Sequence, residues 1–147
     1  MRKKLHWRLY NMEKVPDRLY IDESARDLYE KIKDESIFKG KNRKEQFLFA
    51  MAVGFKNNIK IPIKKTEGLF LEKDLKPEDE ALINAIAIYD AASIDILSNK
   101  GQVYKIAEEY ANGGIRILVD KIDSTQFGSF EKILEKDLLE MYKNITL

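Results

Sequence analysis

The chain contains no cysteine and a single histidine, His6, among its 147 residues. Without cysteine it has no disulfides, zinc-thiolate sites, iron–sulfur clusters or thiol nucleophiles, and this usage is typical of a reducing compartment. His6 stands alone, with no HExxH-type spacing that would indicate a metal site or a general base. We therefore expect neither a metal nor a redox cofactor.

Other motifs of catalysis are also missing. The sequence has no GxxxxGK[ST] or GxGxxG phosphate loop and no GxSxG nucleophile elbow. Glu108 and Glu109, with Asp120 and Asp123, are the carboxylates that come closest to a Mg²⁺ set for phosphodiester cleavage. Adjacent helical residues point about 100° apart, so the two glutamates do not converge. The sequence favours a binding protein over an enzyme.

Long hydrophobic runs are absent as well. No run approaches the roughly 18 apolar residues of a membrane span, and the basic N-terminus MRKKLHWRLY lacks the apolar stretch of a signal peptide. We expect a cytoplasmic protein with no membrane partner. The content of 44% hydrophobic and 35% charged residues is enough for a core and a polar surface.

The charges that are present are divided unequally. Residues 1–65 hold 17 Lys/Arg and 9 Asp/Glu, whereas residues 66–147 hold 9 Lys/Arg and 16 Asp/Glu. This division predicts a basic N-terminal subdomain over 1–65 and an acidic helical subdomain over 66–147, within one compact domain. The basic half suggests contact with DNA. It equally suggests a surface that docks on the chain's own acidic half or on another copy, so a homo-oligomer is expected.

Helical spacing of apolar residues dominates the chain and predicts a mainly α, compact multi-helix domain with a few short strands. The predicted helices span about 24–33, 43–56, 77–92, 102–112 and 129–144. Short strands are predicted over 18–21 and 59–63, residues 64–76 are expected to form a loop, and 115–122 fits either a strand or a helix. Gly113-Gly114 is expected to end the fourth helix.

Two of these helices carry distinctive apolar patterns. The helix over 43–56 begins at a capping pair, Asn42 with Glu45, and is apolar almost all round. It is predicted to be the central core element, with Phe47, Met51 and Phe55 buried. The last helix places its apolar residues on one side: Phe130, Ile133, Leu134, Leu138, Met141 and Tyr142.

Residues 17–56, a short strand followed by two helices, resemble a ribbon-helix-helix DNA-binding module. In that family, strands from two chains pair and enter the major groove, and the second helix's N-terminus holds a phosphate. The resemblance implies an outward side of the strand that contacts bases and a basic cluster that contacts phosphate. These nucleic-acid-binding residues are Arg18 and Tyr20 on the strand and Lys41, Asn42, Arg43 and Lys44 at the helix. An ordinary helical hairpin with a solvated basic turn is the alternative.

The N-terminal segment adds further charge and aromatic rings. Arg2-Lys3-Lys4, Arg8 and the rings of Trp7 and Tyr10 suggest an arm that contacts phosphates and stacks on bases. Trp7 equally suits a position closing the end of the core.

Three stretches, in this order and rough spacing, are similar to small proteins associated with DNA phosphorothioation (Dnd) defence gene clusters. They are EQFLFAMAVGFK over residues 45–56, Ile61-Pro62-Ile63, and EEYANGG over residues 108–114. The resemblance implies a prokaryotic defence system and partners among the other proteins of the same gene cluster. It implies no particular activity.

Together these features predict a non-enzymatic DNA-binding accessory or regulatory protein of a DNA phosphorothioation-linked defence system. The alternative is a helical protein–protein interaction or assembly module with no direct nucleic-acid contact. In that alternative, the acidic half and the apolar helix over 47–55 recruit partners, and the basic residues are only a solvated face. The salt dependence of DNA binding separates the two hypotheses.

Overall fold

A computed structural model describes residues 16–124 and 129–146. The predicted N-terminal arm and His6 lie outside these residues. The fold is mainly α with one two-stranded antiparallel sheet, which confirms the predicted fold class. In chain order the elements are β1 (Arg18–Asp22), α1 (Arg26–Ile32), α2 (Arg43–Lys56), β2 (Thr66–Leu71), α3 (Pro77–Ala91), α4 (Lys100–Ser124) and α5 (Ser129–Thr146). A 3₁₀ helix, Ile94–Ser98, connects α3 to α4.

Helix α2 forms as the sequence predicts. The Glu45 amide donates to Asn42 Oδ1 and the Asn42 amide donates to Glu45 Oε2, both at 2.9 Å, so the capping pair is a complete capping box. Phe47 and Met51 are fully buried and Phe55 is partly buried. The helix therefore supplies the middle of the core, as expected.

The sheet does not use the predicted second strand. β1 pairs with β2, with Arg18 opposite Leu71 and Asp22 opposite Thr66. Residues 59–63 are not part of the sheet; in this segment the Ile61 amide donates to the Glu109 carbonyl of helix α4 at 3.0 Å. Strand β2 instead lies within residues 64–76, which were expected to form a loop, and its Leu69 and Phe70 pack against the core.

Gly113-Gly114 does not end a helix, and this prediction was wrong. Helix α4 continues through both glycines to Ser124, which also decides that residues 115–122 are helical. A Cβ on Gly114 would overlap the carbonyl oxygen of Ala50, and a Cβ on Gly54 would overlap the carbonyl oxygen of Tyr110. The glycines therefore permit close approach of α2 and α4 rather than a change of chain direction.

The two halves of opposite charge share one hydrophobic core. Buried apolar residues from both sides of residue 65 form a single cluster, and β1 of the first half pairs with β2 of the second. Ion pairs also join the halves: Lys31 to Asp123 at 2.6 Å, Lys44 to Asp79 at 2.8 Å and Lys60 to Asp90 at 3.1 Å. In these pairs, basic side chains of the first half dock on the chain's own acidic half.

Candidate functional site

The strand residues predicted to contact DNA lie on a strand that is already paired. Leu19 and Ile21 point into the core, while Arg18 is exposed and Tyr20 half-buried, so the predicted alternation is present. One edge of β1 bonds to β2 of the same chain, and the Tyr20 amide donates to Glu108 Oε2 of α4 at 3.1 Å. A ribbon-helix-helix strand pairs with its copy in a second chain, so this pairing does not follow that family.

The basic cluster at the start of α2 is also dispersed. Lys41 is exposed, Asn42 is engaged as the helix cap, and Arg43 bonds to Glu30 and to Gln46 Oε1. Lys44 is buried against Asp79, and its hydrogen bond to that carboxylate raises the pKa of Lys44 above its usual value. Its ammonium is therefore already paired with an acidic group of this chain, and a phosphate contact of Lys44 stays a prediction.

The carboxylates considered for metal chemistry do not converge either. Glu108 is largely buried beside β1, and burial raises its pKa to about 7, against the opposing effect of the Tyr20 amide. Asp123 is paired with Lys31 at the other end of α4. Across residues 16–124 and 129–146, no group of three or more His, Asp or Glu side chains is placed to hold a metal ion.

A more continuous surface feature lies toward the C-terminal end of α4, where residues of α2, α4 and α5 line a common groove. The three helices enclose an open groove of about 290 Å³. Its apolar lining comprises Phe49, Ala52 and Val53 of α2, Leu118 of α4, and Phe130, Leu134, Leu138 and Met141 of α5. Lys56, Lys121 and Asp137 stand at its edges and are the charged groups that line it.

Helix α5 leaves most of its apolar side uncovered. Phe130 is buried and Leu134 half-buried, but Leu138, Tyr142 and Ile145 expose 56%, 65% and 80% of their surface. Residues at this 3–4 spacing share one helix face, so the exposed side chains continue the line of the buried ones. We call this line and the adjoining groove the α5 groove.

Sequence reasoning detected the apolar face of α5 but not its exposure. An amphipathic helix is normally placed with its apolar face in the core, and nothing local distinguishes a covered face from an open one. The signal that was available is the length of the apolar line. It extends over four turns from Phe130 to Ile145.

No helix in the described part of the chain combines the length and the apolar character needed to cross a membrane. Comparison with protein families finds a match to the model of DNA sulphur modification system-associated protein 4 over residues 18–143. The chain belongs to this family, as the three sequence stretches indicated. Comparison of this chain with the curated proteins and with the solved structures finds no match.

Proposed function

We propose that this member of the DNA sulphur modification system-associated protein 4 family is a non-catalytic interaction subunit, which binds a partner protein of the same system through the α5 groove. The observation that carries the proposal is the solvent-exposed apolar line of Leu138, Met141 and Ile145 beside an apolar groove. A contiguous apolar patch is a feature that typically marks an interaction site.

The shape of the groove favours a helical segment as its occupant. An amphipathic helix lays apolar residues at 3–4 spacing into a groove between helices, and here Phe49, Leu118 and Leu138 would receive them. Lys56 and Lys121 on one wall and Asp137 on the other would orient the segment by charge. Such a segment would carry acidic groups toward α2 and α4 and a basic group toward α5.

The charge around α5 also bears on whether the partner is another copy. Glu135 and Asp137 lie on either side of the line through Leu138. Two copies of α5 packed face to face would bring these carboxylates near one another, and like charges at an interface are unfavourable. A different protein is therefore the better-supported occupant, and the homo-oligomer expected from the sequence stays a prediction.

The DNA-binding hypothesis also stays a prediction, with fewer cations to support it. Arg43, Lys44 and Lys60 are each bonded to a carboxylate of this chain, whereas Lys39 and Lys41 near the start of α2 are exposed. A protein that binds duplex DNA through phosphates loses affinity steeply as salt rises. Anisotropy with a labelled mixed-sequence duplex at about 100–150 mM salt, with and without phosphorothioate, measures this directly.

The interaction proposal is tested by co-expressing the tagged chain with the other proteins of its gene cluster. We expect one of them to co-purify stoichiometrically with the wild type and to be lost with Leu138→Glu/Met141→Glu. Lys136→Glu is the matched control: it makes the same charge change of two on the same helix, at an exposed position outside the groove.

Thermal melts show whether each variant is folded. Co-purification that survives the groove variant contradicts the proposed site. Duplex binding at physiological salt, with no partner among the cluster's proteins, contradicts the proposed function in favour of DNA binding. Recovery of a second copy of the chain bound at α5 contradicts the proposal that the occupant is a different protein.

A further inference from the structure

A second surface of different chemistry lies on α3, and it shares no residue with the α5 groove. Ile83, Ile86 and Ala87 of α3 are buried against the core. Residues 78, 81, 82, 85 and 89 are all exposed, and their spacing places them on one outward face. Four side chains on this face are apolar or aromatic, over a distance of about two turns: Ala81, Leu82, Ala85 and Tyr89.

The 3₁₀ helix that follows extends the same type of surface. Tyr89 and Ile94 expose 73% and 69% of their area, and Leu97 is exposed as well. Tyr89 is held in position by an edge-to-face contact with Phe55, with ring centroids 5.2 Å apart. An exposed aromatic ring that is already oriented loses little entropy on binding, which suits an interface anchor.

The charge of this segment is of one sign. From Pro77 to Asn99 there is no Lys or Arg, but there are five acidic residues. Three of these are engaged within the chain: Asp79 bonds to Lys44, Glu80 to Lys100, and Asp90 to both Lys60 and Tyr110. Glu78 and Asp95 are exposed at the two ends of the apolar face. The surface is thus apolar in the middle and acidic at its ends.

This combination restricts the occupant. Nucleic acid is disfavoured because its phosphates would meet carboxylates and no cation of the segment. A second copy docked through the same face would bring acidic ends near acidic ends. A segment with apolar side chains at helical spacing and Lys or Arg at its flanks matches both the middle and the ends of the surface.

We propose that the outward face of α3 and the Ile94–Ser98 helix form a second docking surface, which binds a basic amphipathic helix of another protein. Binding would set the partner's apolar side chains against Leu82, Tyr89 and Ile94 and its cations near Glu78 and Asp95. With the α5 groove occupied as well, the chain would join two partners.

Site-specific photo-crosslinking tests this surface in cells that express the complete gene cluster and the full-length chain. The probe is p-benzoyl-phenylalanine, which replaces Tyr89 by another aromatic side chain. The same probe at Asp27, exposed on α1, gives the background. We expect crosslinks at position 89 above this background, to a peptide of another protein with net positive charge and apolar residues at 3–4 spacing.

Charge reversal then tests the chemistry of recognition. Glu78→Lys/Asp95→Lys is expected to lower the crosslinking yield at position 89 by at least about fivefold. Asp27→Lys/Glu140→Lys makes the same change in net charge at exposed positions elsewhere and should leave the yield unchanged. Thermal melts of both variants establish that the fold is kept.

Crosslinks at position 89 to a second copy, to an acidic or uncharged segment, or at the background level would overturn the proposal. So would a yield that falls equally with both charge reversals. A probe at Leu138 run in parallel reports on the α5 groove independently. Crosslinks above background at position 138 but not at position 89 therefore reject this surface and leave the proposed function unaffected.

Discussion

Helices α2 and α5 both lie beside α4 and both are rich in apolar residues, but α2 packs extensively against α4 whereas α5 makes few contacts with it. At the α2 crossing the backbones approach so closely that Gly54 and Gly114 have no room for a Cβ. Among the described side chains of α5 only Phe130 is buried, and the apolar line then continues into solvent. The apolar residues of α2 thus serve the core, whereas those of α5 are the ones that we propose for partner binding.

The largest expected effect comes from adding a methyl group where α2 crosses α4. Gly114→Ala should destabilise the protein by at least about 4 kcal/mol, since the added methyl overlaps the Ala50 carbonyl and outweighs the gain in helix propensity of about 1 kcal/mol. Denaturant titration measures the change. Gly101→Ala in the same helix is the control, because its Cβ would meet its nearest atom at 3.6 Å, and it should be neutral or slightly stabilising. Equal stability of the two variants would mean that the helices do not cross at this distance.

Truncating one large apolar side chain in each helix sharpens the comparison. Phe47→Ala should cost about 3–5 kcal/mol because the ring is fully buried and leaves a cavity. Leu138→Ala should cost less than about 0.5 kcal/mol because more than half of that side chain is already in water. Equilibrium unfolding of the isolated chain gives both values. A large loss of unfolding free energy with Leu138→Ala would show that this face of α5 stabilises the fold, which contradicts its assignment to partner binding.

A smaller effect is expected at Glu108, where α4 meets β1. Burial raises the folded-state pKa of Glu108 to about 7 from an ordinary value of 4.5, so stability falls as pH rises between these values. Glu108→Gln keeps an acceptor for the Tyr20 amide but cannot ionise. Its stability relative to wild type should therefore increase by about 1–3 kcal/mol from pH 5 to pH 8.

The measurement is unfolding at both pH values, with Glu140→Gln on the exposed side of α5 as the control. A difference between Glu108→Gln and wild type that does not change with pH would show that Glu108 titrates normally and is not buried against β1.

The sequence predicted those parts of the fold that local signals determine. Asn42 and Glu45 mark the start of α2 because a capping box is formed within four residues. Gly113-Gly114 misled because a glycine pair suits both a helix end and a close helix crossing, and only Ala50, more than sixty residues away, decides between them. Strand β2 was missed for a similar reason, since its partner β1 is remote in the chain.

The candidate sites were less predictable than the fold. Arg43 and Lys44 look like free cations in the sequence, but each pairs with a carboxylate, Glu30 or Asp79, that only the fold brings to it. The apolar face of α5 was evident, but its exposure depends on how much of it α2 and α4 cover, which the sequence of α5 does not determine. Charge asymmetry between the halves suggested an external anion, whereas several of the cations meet carboxylates within the chain.

Hydrogen–deuterium exchange of the chain alone and in complex with its co-purified partner tests the central claim most directly. We predict that amides of α5 over residues 134–145 exchange readily in the free chain and are protected at least about tenfold in the complex. Amides of α4 around Gly114 should be protected in both states, because the α2 crossing is complete without a partner. Exchange of α5 that the partner leaves unchanged would contradict the assignment of its apolar face to partner binding.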